Sequence, residues 1–151
     1  MTNKLHGQHS LHQVAIWIDH REAILAILND AHLLREEEIF SEAGPHTQGG
    51  GWSQKRIQAH RHALLDHFYE EVLHDLAGAD EIIIYGPGQA KHELHQHIKR
   101  NKALSQRVID LVTTGRVSEN ELVRLAVHDL ISAHKPIEEE NREHTSVHPA
   151  E

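Results

Sequence analysis

The sequence predicts one α/β domain in which helices pack against a mixed β-sheet, with the elements in the order βββ-α-β-α-β-α. Near the start of the chain, three segments of strand length follow one another, separated only by short polar turns. After a glycine-rich stretch, segments with helical periodicity alternate with short apolar segments, which is typical of a mixed sheet covered by helices. The length of 151 residues fits a single domain. We place this domain at residues 13–134, between a disordered tail at 1–12 and a disordered acidic tail at 135–151.

The first three strands are predicted at Gln13–Asp19, Ala23–Asn29 and His32–Phe40. The first two are dense in β-branched and apolar residues, which favour a buried strand. The third strand is strongly charged, and charged side chains discourage further strand pairing, so we expect it near an edge of the sheet. Polar turns at Asp19–Glu22 and Asn29–Asp30 would join the three strands into an antiparallel meander.

The first helix is predicted to follow the glycine-rich loop. Ser53 is a suitable N-cap, the helical pattern begins at Gln54, and Gly78 is a plausible residue just past the helix end. Apolar residues recur at intervals of four or seven along this segment, namely at Ile57, Leu64, Phe68, Val72 and Leu76.

Two strands and two helices complete the predicted domain. Ser118 and Glu121 have the capping-box spacing, so the last helix should begin there and continue to about His134. The remaining segments, in chain order, are a strand at Glu81–Tyr85, a tight turn at Gly86–Gly88, a helix at Ala90–Lys102 and a strand at Val108–Val112. This order and these lengths are those of ribonuclease-H-like folds.

The charge of the chain is unevenly distributed. A formal net charge of -8 argues against general nucleic-acid binding, because phosphates repel an acidic surface. No acidic residue occurs between Trp52 and Leu65, however, while Lys55, Arg56 and Arg61 lie within that stretch. An acidic protein with one locally basic face can direct that face towards RNA.

Composition excludes several classes of protein. The chain has no cysteine, which excludes disulfides, thiolate metal sites and cysteine nucleophiles. The first residues are polar and resemble no signal peptide, and the longest apolar runs are far too short to span a bilayer. We therefore expect a cytoplasmic protein without membrane contact. The sequence leaves the oligomeric state open, a homodimer included.

The chain contains 17 histidines, and two interpretations of them are open. The spacings His60-x-His62 and His92-x-x-His95-x-His97 would allow metal binding or a response to pH. The alternative is compositional bias on solvated faces, which the position of many histidines in the tails and on polar helix sides favours. We predict no metal site and no cofactor.

Asp19 raises the alternative of a metal-dependent nuclease. In ribonuclease-H-like folds an aspartate on the first strand can bind catalytic metal, and phosphodiester hydrolysis usually needs clustered carboxylates. Glu22 and Asp110 are the candidate partners. A simpler interpretation is that Asp19 forms the hairpin turn, where aspartate is favoured for local reasons.

The most distinctive segment is Gly49–Ile57, in which a glycine-rich loop leads into a helix. Backbone N–H groups at a helix N-terminus attract anions, and Lys55 and Arg56 add full positive charges. The glycine pattern matches neither the phosphate-loop nor the dinucleotide-binding motif. The segment therefore indicates an anion-binding surface without identifying the anion.

This segment resembles the middle domain of archaeal and eukaryotic class-I peptide chain release factors. There the motif reads Gly-Gly-Gln-Ser and precedes a long helix with an early arginine, and Gly50, Gly51, Ser53 and Arg56 fall on matching positions. The resemblance includes the preceding strands and a later strand that ends in Gly-Pro-Gly, and covers residues 13–133. The rescue protein Pelota shares this fold, and the Gly-Gly-Trp-Ser-Gln variant is most similar to a bacterial release-factor-like group.

The departures from the family motif bear on function. The resemblance implies that the motif glutamine helps water attack the peptidyl-tRNA ester, and here that position is Trp52, with Gln54 two residues on. We therefore predict a noncatalytic, translation-associated protein that binds the ribosome or tRNA, rather than an enzyme. Residual peptidyl-tRNA hydrolysis stays open as an alternative. The predicted RNA-binding residues are Gly50, Gly51, Trp52, Ser53, Gln54, Lys55, Arg56 and Arg61.

Overall fold

The computed structural model describes residues 10–43 and 52–134. The tail predicted at residues 135–151 and most of the tail predicted at 1–12 lie outside the described residues. So do Gly50 and Gly51 of the glycine-rich loop.

The described residues form five strands and three helices in the predicted order, with one additional short helix. Their bounds are β1 His12–Ile18, β2 Glu22–Asn29, β3 His32–Phe40, α1 Gln54–His74, β4 Glu81–Gly86, α2 Ala90–Lys99, α3 Lys102–Ser105, β5 Val108–Thr113 and α4 Glu119–Ala133.

The strands form one mixed sheet in the order β3-β2-β1-β4-β5. β1 pairs antiparallel with β2, and β2 with β3, so the first three strands form the predicted meander. β1 pairs in parallel with β4, and β4 with β5. The ribonuclease-H-like fold class is thereby confirmed, and the charged strand β3 lies at an edge as predicted.

The two faces of the sheet form two separate cores. Alternate residues of β1 point to opposite faces, as the strand period requires: Val14, Ile16 and Ile18 pack against α1 and α2. Ala15 and Trp17 belong to the second cluster, which α4 covers. The central strands are apolar throughout because helices cover both of their faces.

The segment predicted as one helix at Ala90–Lys102 is interrupted. α2 ends at Lys99, and Asn101 adopts an extended conformation with φ -108° and ψ 103°. The Asn101 side chain accepts a hydrogen bond from the backbone N–H of Leu104 and so caps α3. An asparagine that competes with the helix for backbone hydrogen bonds explains the break.

The end of α1 also differs from the prediction. The helix stops at His74 with Asp75 as its C-cap, and a turn intervenes before Gly78, which has a positive φ of 82°. Glycine is suited to that left-handed conformation, so Gly78 terminates the turn after the helix rather than the helix itself.

The end of β4 lies very close to the end of β1. A Cβ atom added to Gly86 would overlap the backbone carbonyl oxygen of Ile18, whereas one added to Gly88 would meet nothing within 4 Å. Only glycine fits the first position, since its neighbour is backbone and cannot rotate away. The Gly-Pro-Gly turn thus has one glycine required by packing and one that packing does not require.

We expect Gly86→Ala to lower the free energy of unfolding by about 1–3 kcal/mol or more, because the added methyl forces β1 and β4 apart. Gly88→Ala is the matched control and should stay within about 0.5 kcal/mol of the wild type. Urea denaturation followed by circular dichroism measures both. Equal stability of the two variants would contradict the close approach of the strands.

The edge strand β3 contacts the end of α1 through a pair of carboxyl groups. Burial raises the pKa of Asp75, and its hydrogen bond with Glu37 raises that pKa further. Hydrogen bonds from Arg35 and Asp75 lower the pKa of Glu37. Within this pair, Asp75 is the carboxyl group with the raised pKa and Glu37 is the one with the lowered pKa.

Asp75→Asn should increase the free energy of unfolding at pH 7. A carboxyl group whose folded pKa is raised contributes stability below its unfolded pKa, and that stability is lost as the pH rises through the folded pKa; the amide avoids this loss. The gain over the wild type should vanish below about pH 3.9, the ordinary aspartate pKa. Urea denaturation at both pH values, with Glu71→Gln on the same helix as control, tests this. A gain independent of pH would indicate a simple capping effect.

Candidate nucleic-acid interface

The N-terminus of α1 is capped as the sequence predicts. Ser53 is extended, and its Oγ accepts a hydrogen bond of 3.1 Å from the backbone N–H of Arg56. The first turn, which begins at the exposed Gln54, contains no acidic residue. The positive end of the helix dipole is therefore not neutralised by a side chain of its own turn.

The three predicted basic residues do not share one face of α1. Lys55 and Arg56 are exposed, whereas Arg61 is partly buried. At 3.6 residues per turn, Arg61 is rotated about 120° from Lys55 around the helix axis. The structure thus brings Lys55 and Arg56 together and places Arg61 on the side that faces the sheet.

Arg61 lies near the phenol of Tyr69. Burial raises the pKa of Tyr69, the hydrogen bond from its hydroxyl to Glu93 raises it further, and the charge of Arg61 opposes these effects. Arg61 therefore takes part in the electrostatics of the α1–α2 contact.

Trp52 lies against the first turns of α1. The guanidinium carbon of Arg56 is 4.5 Å from the centre of the indole, within the range of a cation–π contact. The ring of His60 meets the indole edge-on at a centroid distance of 5.3 Å and an interplanar angle of 81°. This arrangement is compatible with packing of Trp52 beside the helix start and also with base stacking on the ring, since 42% of the residue stays exposed.

The second half of α1 is held against α2 by a buried histidine. His97 is 6% exposed. Its Nε2 lies 3.2 Å from Asp66 Oδ1 and its Nδ1 lies 3.0 Å from Glu70 Oε2. The two carboxylates are one helical turn apart on α1, so they bracket the imidazole from both sides. This contact fixes the direction in which α1 presents its N-terminus.

A second polar network joins the same helices to the β1–β2 turn. Glu93 Oε1 lies 3.0 Å from His20 Nε2 and accepts a hydrogen bond of 2.6 Å from the hydroxyl of Tyr69. No sequence motif links these residues, because they are far apart in the chain. Lys91 also belongs to no motif; it is buried and donates from Nζ to the carbonyl oxygen of Gly88 at 2.9 Å.

The histidines of the two spacings that would allow metal binding lie in different environments. His62 and His92 are exposed, and His97 is engaged with α1, so the expectation of solvated histidines is wrong for His97. Burial lowers the pKa of His95, and the charges of Lys99 and His92 lower it further. Among residues 10–43 and 52–134, no group of three or more histidine and carboxylate side chains could hold a metal ion.

Asp19 has the local role that its turn position predicts. Its Oδ1 accepts hydrogen bonds from the backbone N–H groups of Arg21 and Glu22, at 2.8 and 2.9 Å. Arg116 forms ion pairs with Asp19 and Glu22. Asp110 is exposed and accepts from the N–H of its neighbour Leu111. These contacts give the carboxylates structural partners and provide no support for a nuclease site.

Within the described residues, no helix is long and apolar enough to cross a membrane.

Comparison with known proteins gives one family. The sequence profile of the family described as eRF1 domain 2 matches residues 12–133. No curated protein matches the chain.

Solved structures with a similar fold include two archaeal Pelota proteins. Pelota from Archaeoglobus fulgidus is 16% identical with a TM-score of 0.52, and the match covers 85% of this chain and 37% of that protein. Pelota from Thermoplasma acidophilum is 16% identical with a TM-score of 0.52, and the match covers 76% of this chain and 31% of that protein. An archaeal translation termination factor, aRF1, is 20% identical with a TM-score of 0.48, over 92% of this chain and 42% of that one. The present chain thus corresponds to about a third of the Pelota chains.

Proposed function

Because the chain belongs to the eRF1 domain 2 family, we propose that it is a noncatalytic, translation-associated protein that binds the ribosome or tRNA. The contact surface is the N-terminus of α1 with the residues that precede it. This surface comprises Trp52, Ser53, Gln54, Lys55 and Arg56 among the described residues, together with Gly50 and Gly51 of the adjoining loop.

The observation that carries the proposal is the charge of this helix end. In a chain with a net charge of -8, the stretch from Trp52 to Leu65 has no acidic residue. Lys55 and Arg56 are exposed in the first turn, where the helix dipole adds positive potential. RNA phosphates are the anions that a translation factor meets, so this helix end is suited to them.

The second half of α1 supports the same surface from a distance. Asp66 and Glu70 carry negative charge there and are engaged with His97. The helix is therefore positive where it projects and negative where it is anchored. Such a division directs RNA to one end of α1, because phosphates are repelled from the other.

The substitution of the motif glutamine supports a noncatalytic role. The indole N–H of Trp52 is only a donor and has no carbonyl group, so it cannot accept a hydrogen bond from an attacking water. Gln54 follows the cap residue and begins the helix, so its backbone position differs from that of the motif residue. Neither side chain reproduces the amide at the position that the family uses.

Reversal of the two exposed charges, Lys55→Glu with Arg56→Glu, should weaken ribosome binding and reduce the steepness of its salt dependence by about one to two units on a log–log plot, because each residue would contact one phosphate. Co-sedimentation with ribosomes at several salt concentrations measures both quantities.

The matched control reverses Lys99 and Arg100, an adjacent lysine and arginine that are also exposed, at the end of α2. It should bind as the wild type does. An equal loss of ribosome binding in both variants would show that binding depends only on overall charge. Unchanged binding after the Lys55 and Arg56 reversal would contradict the proposed surface. Arg61→Gln, tested separately, should affect the stability of the α1–α2 contact more than ribosome binding.

The noncatalytic role predicts that the wild type releases no peptide from peptidyl-tRNA on ribosomes. Release measured with labelled peptidyl-tRNA, with an active release factor as positive control, tests this. Release by the wild type above background would favour the hydrolase alternative.

A further inference from the structure

We propose that Trp52, Arg56 and His60, here called the Trp52 stack, bind one unpaired nucleotide base of RNA. The inference rests on the proposed function and specifies its ligand: the base stacks on the indole, while Lys55 and Arg56 attract the adjacent phosphate. It distinguishes this surface from one that recognises only the backbone of duplex RNA.

The first support is the exposure of Trp52 in a chain with few aromatic residues. The sequence has two tryptophans, two tyrosines and two phenylalanines. Of these, Trp17, Phe68, Tyr69 and Tyr85 are buried in the core, Phe40 is exposed at the end of the edge strand β3, and 42% of Trp52 is exposed at the basic end of α1. Burial of a large aromatic side chain stabilises a protein, so an exposed indole at this position favours a role in binding.

The second support is the way in which Trp52 is held. The indole contacts the guanidinium of Arg56, whose carbon lies 4.5 Å from the ring centre, and the ring of His60 at a centroid distance of 5.3 Å. Both contacts orient the indole and leave part of it open.

An oriented indole lowers the cost of binding. A side chain that is already restricted loses less conformational entropy when a ligand stacks on it. The helix that carries Arg56 and His60 is itself fixed by the Ser53 cap, which accepts from the Arg56 N–H at 3.1 Å. The stack is therefore prearranged before the ligand arrives.

The ligand is an unpaired base because only an unpaired base offers a free aromatic face. In the body of a duplex both faces of each base are occupied by stacking, whereas single strands and open loops can present a base to an aromatic side chain. The charges of Lys55 and Arg56 would by themselves accept either form. The indole adds the preference for the single-stranded one.

The test compares a short oligoadenylate with an RNA hairpin that has a blunt duplex end and a tight loop. Trp52→Leu removes the aromatic face and keeps the apolar volume, and it should weaken oligoadenylate binding about 5-fold to 150-fold, the range expected for loss of one base–aromatic contact. Trp52→Phe should retain most of the affinity. Neither substitution should change the affinity for the hairpin by more than about twofold. Fluorescence anisotropy of labelled RNA gives these affinities.

Phe40→Leu is the control, because Phe40 is an exposed aromatic residue on the edge strand β3, away from the basic end of α1. It should leave oligoadenylate binding unchanged. Quenching of tryptophan fluorescence by the oligonucleotide gives an independent readout, since Trp17 is 1% exposed and contributes a constant background. The quenching should be lost in Trp52→Leu.

The outcomes separate this inference from the proposed function. If the wild type binds ribosomes in a manner that depends on Lys55 and Arg56, but Trp52→Leu binds oligoadenylate as tightly as the wild type, the base-stacking inference is overturned and the proposed function stands. Equal affinity of the wild type for hairpin and oligoadenylate, or absence of oligoadenylate binding, overturns the inference in the same way. If the wild type binds neither ribosomes nor tRNA while the Trp52-dependent binding of oligoadenylate persists, the proposed function fails and the base-binding site stands.

Discussion

The strand β1 constrains the rest of the molecule. It pairs antiparallel with β2 on one side and parallel with β4 on the other, and both of its faces are buried. A strand in that position must be apolar on both sides, and helices must cover both faces. The parallel pairing with β4 requires a crossover, which the long helix α1 provides. The same pairing brings Ile18 against the backbone of Gly86, and so fixes the level at which β4 turns into α2. The α1–α2 contact then follows from the sheet rather than from the helices alone.

The contact between α1 and α2 explains how α1 can be held in the fold while its first turns stay exposed to a ligand. The last turns of α1 bury Phe68, Tyr69 and Val72 against the sheet, whereas the first turns have no buried residue. Packing alone would let the first turns fray, and the Ser53 cap opposes this by satisfying one of the free N–H groups. His97 of α2 adds a polar contact with Asp66 and Glu70 in the second half of α1. A basic end that projects from a well-anchored helix can approach RNA without a rearrangement of the fold.

Sequence predicted most of the fold because its signals are local. The apolar runs of β1 and β4, the charged edge strand β3 and the caps at Ser53 and Ser118 each depend on neighbouring residues. The prediction that α2 continues to Lys102 was wrong, because Asn101 competes for backbone hydrogen bonds within an otherwise helical pattern. The separation of Arg61 from Lys55 follows from the helical period and could have been derived. The burial of His97 could not, since it depends on two carboxylates of another helix. The start of α1 and its Ser53 cap were thus predicted, whereas the arrangement of the side chains around them was not.

Position 52 is the point at which the chain departs from the family motif. At the corresponding family position a glutamine would act on a water molecule, which requires a small polar group at the tip of a loop. A tryptophan offers area and polarisability instead, and it interacts favourably with a cation. Here that cation is Arg56, a residue that also matches the family motif. The arginine thus keeps its place while its neighbour differs, and the role that we propose for the pair is to stack on a base. The Ser53 cap and the exposed Lys55 and Arg56 would serve this proposed role, because they hold and charge the helix start beside the indole.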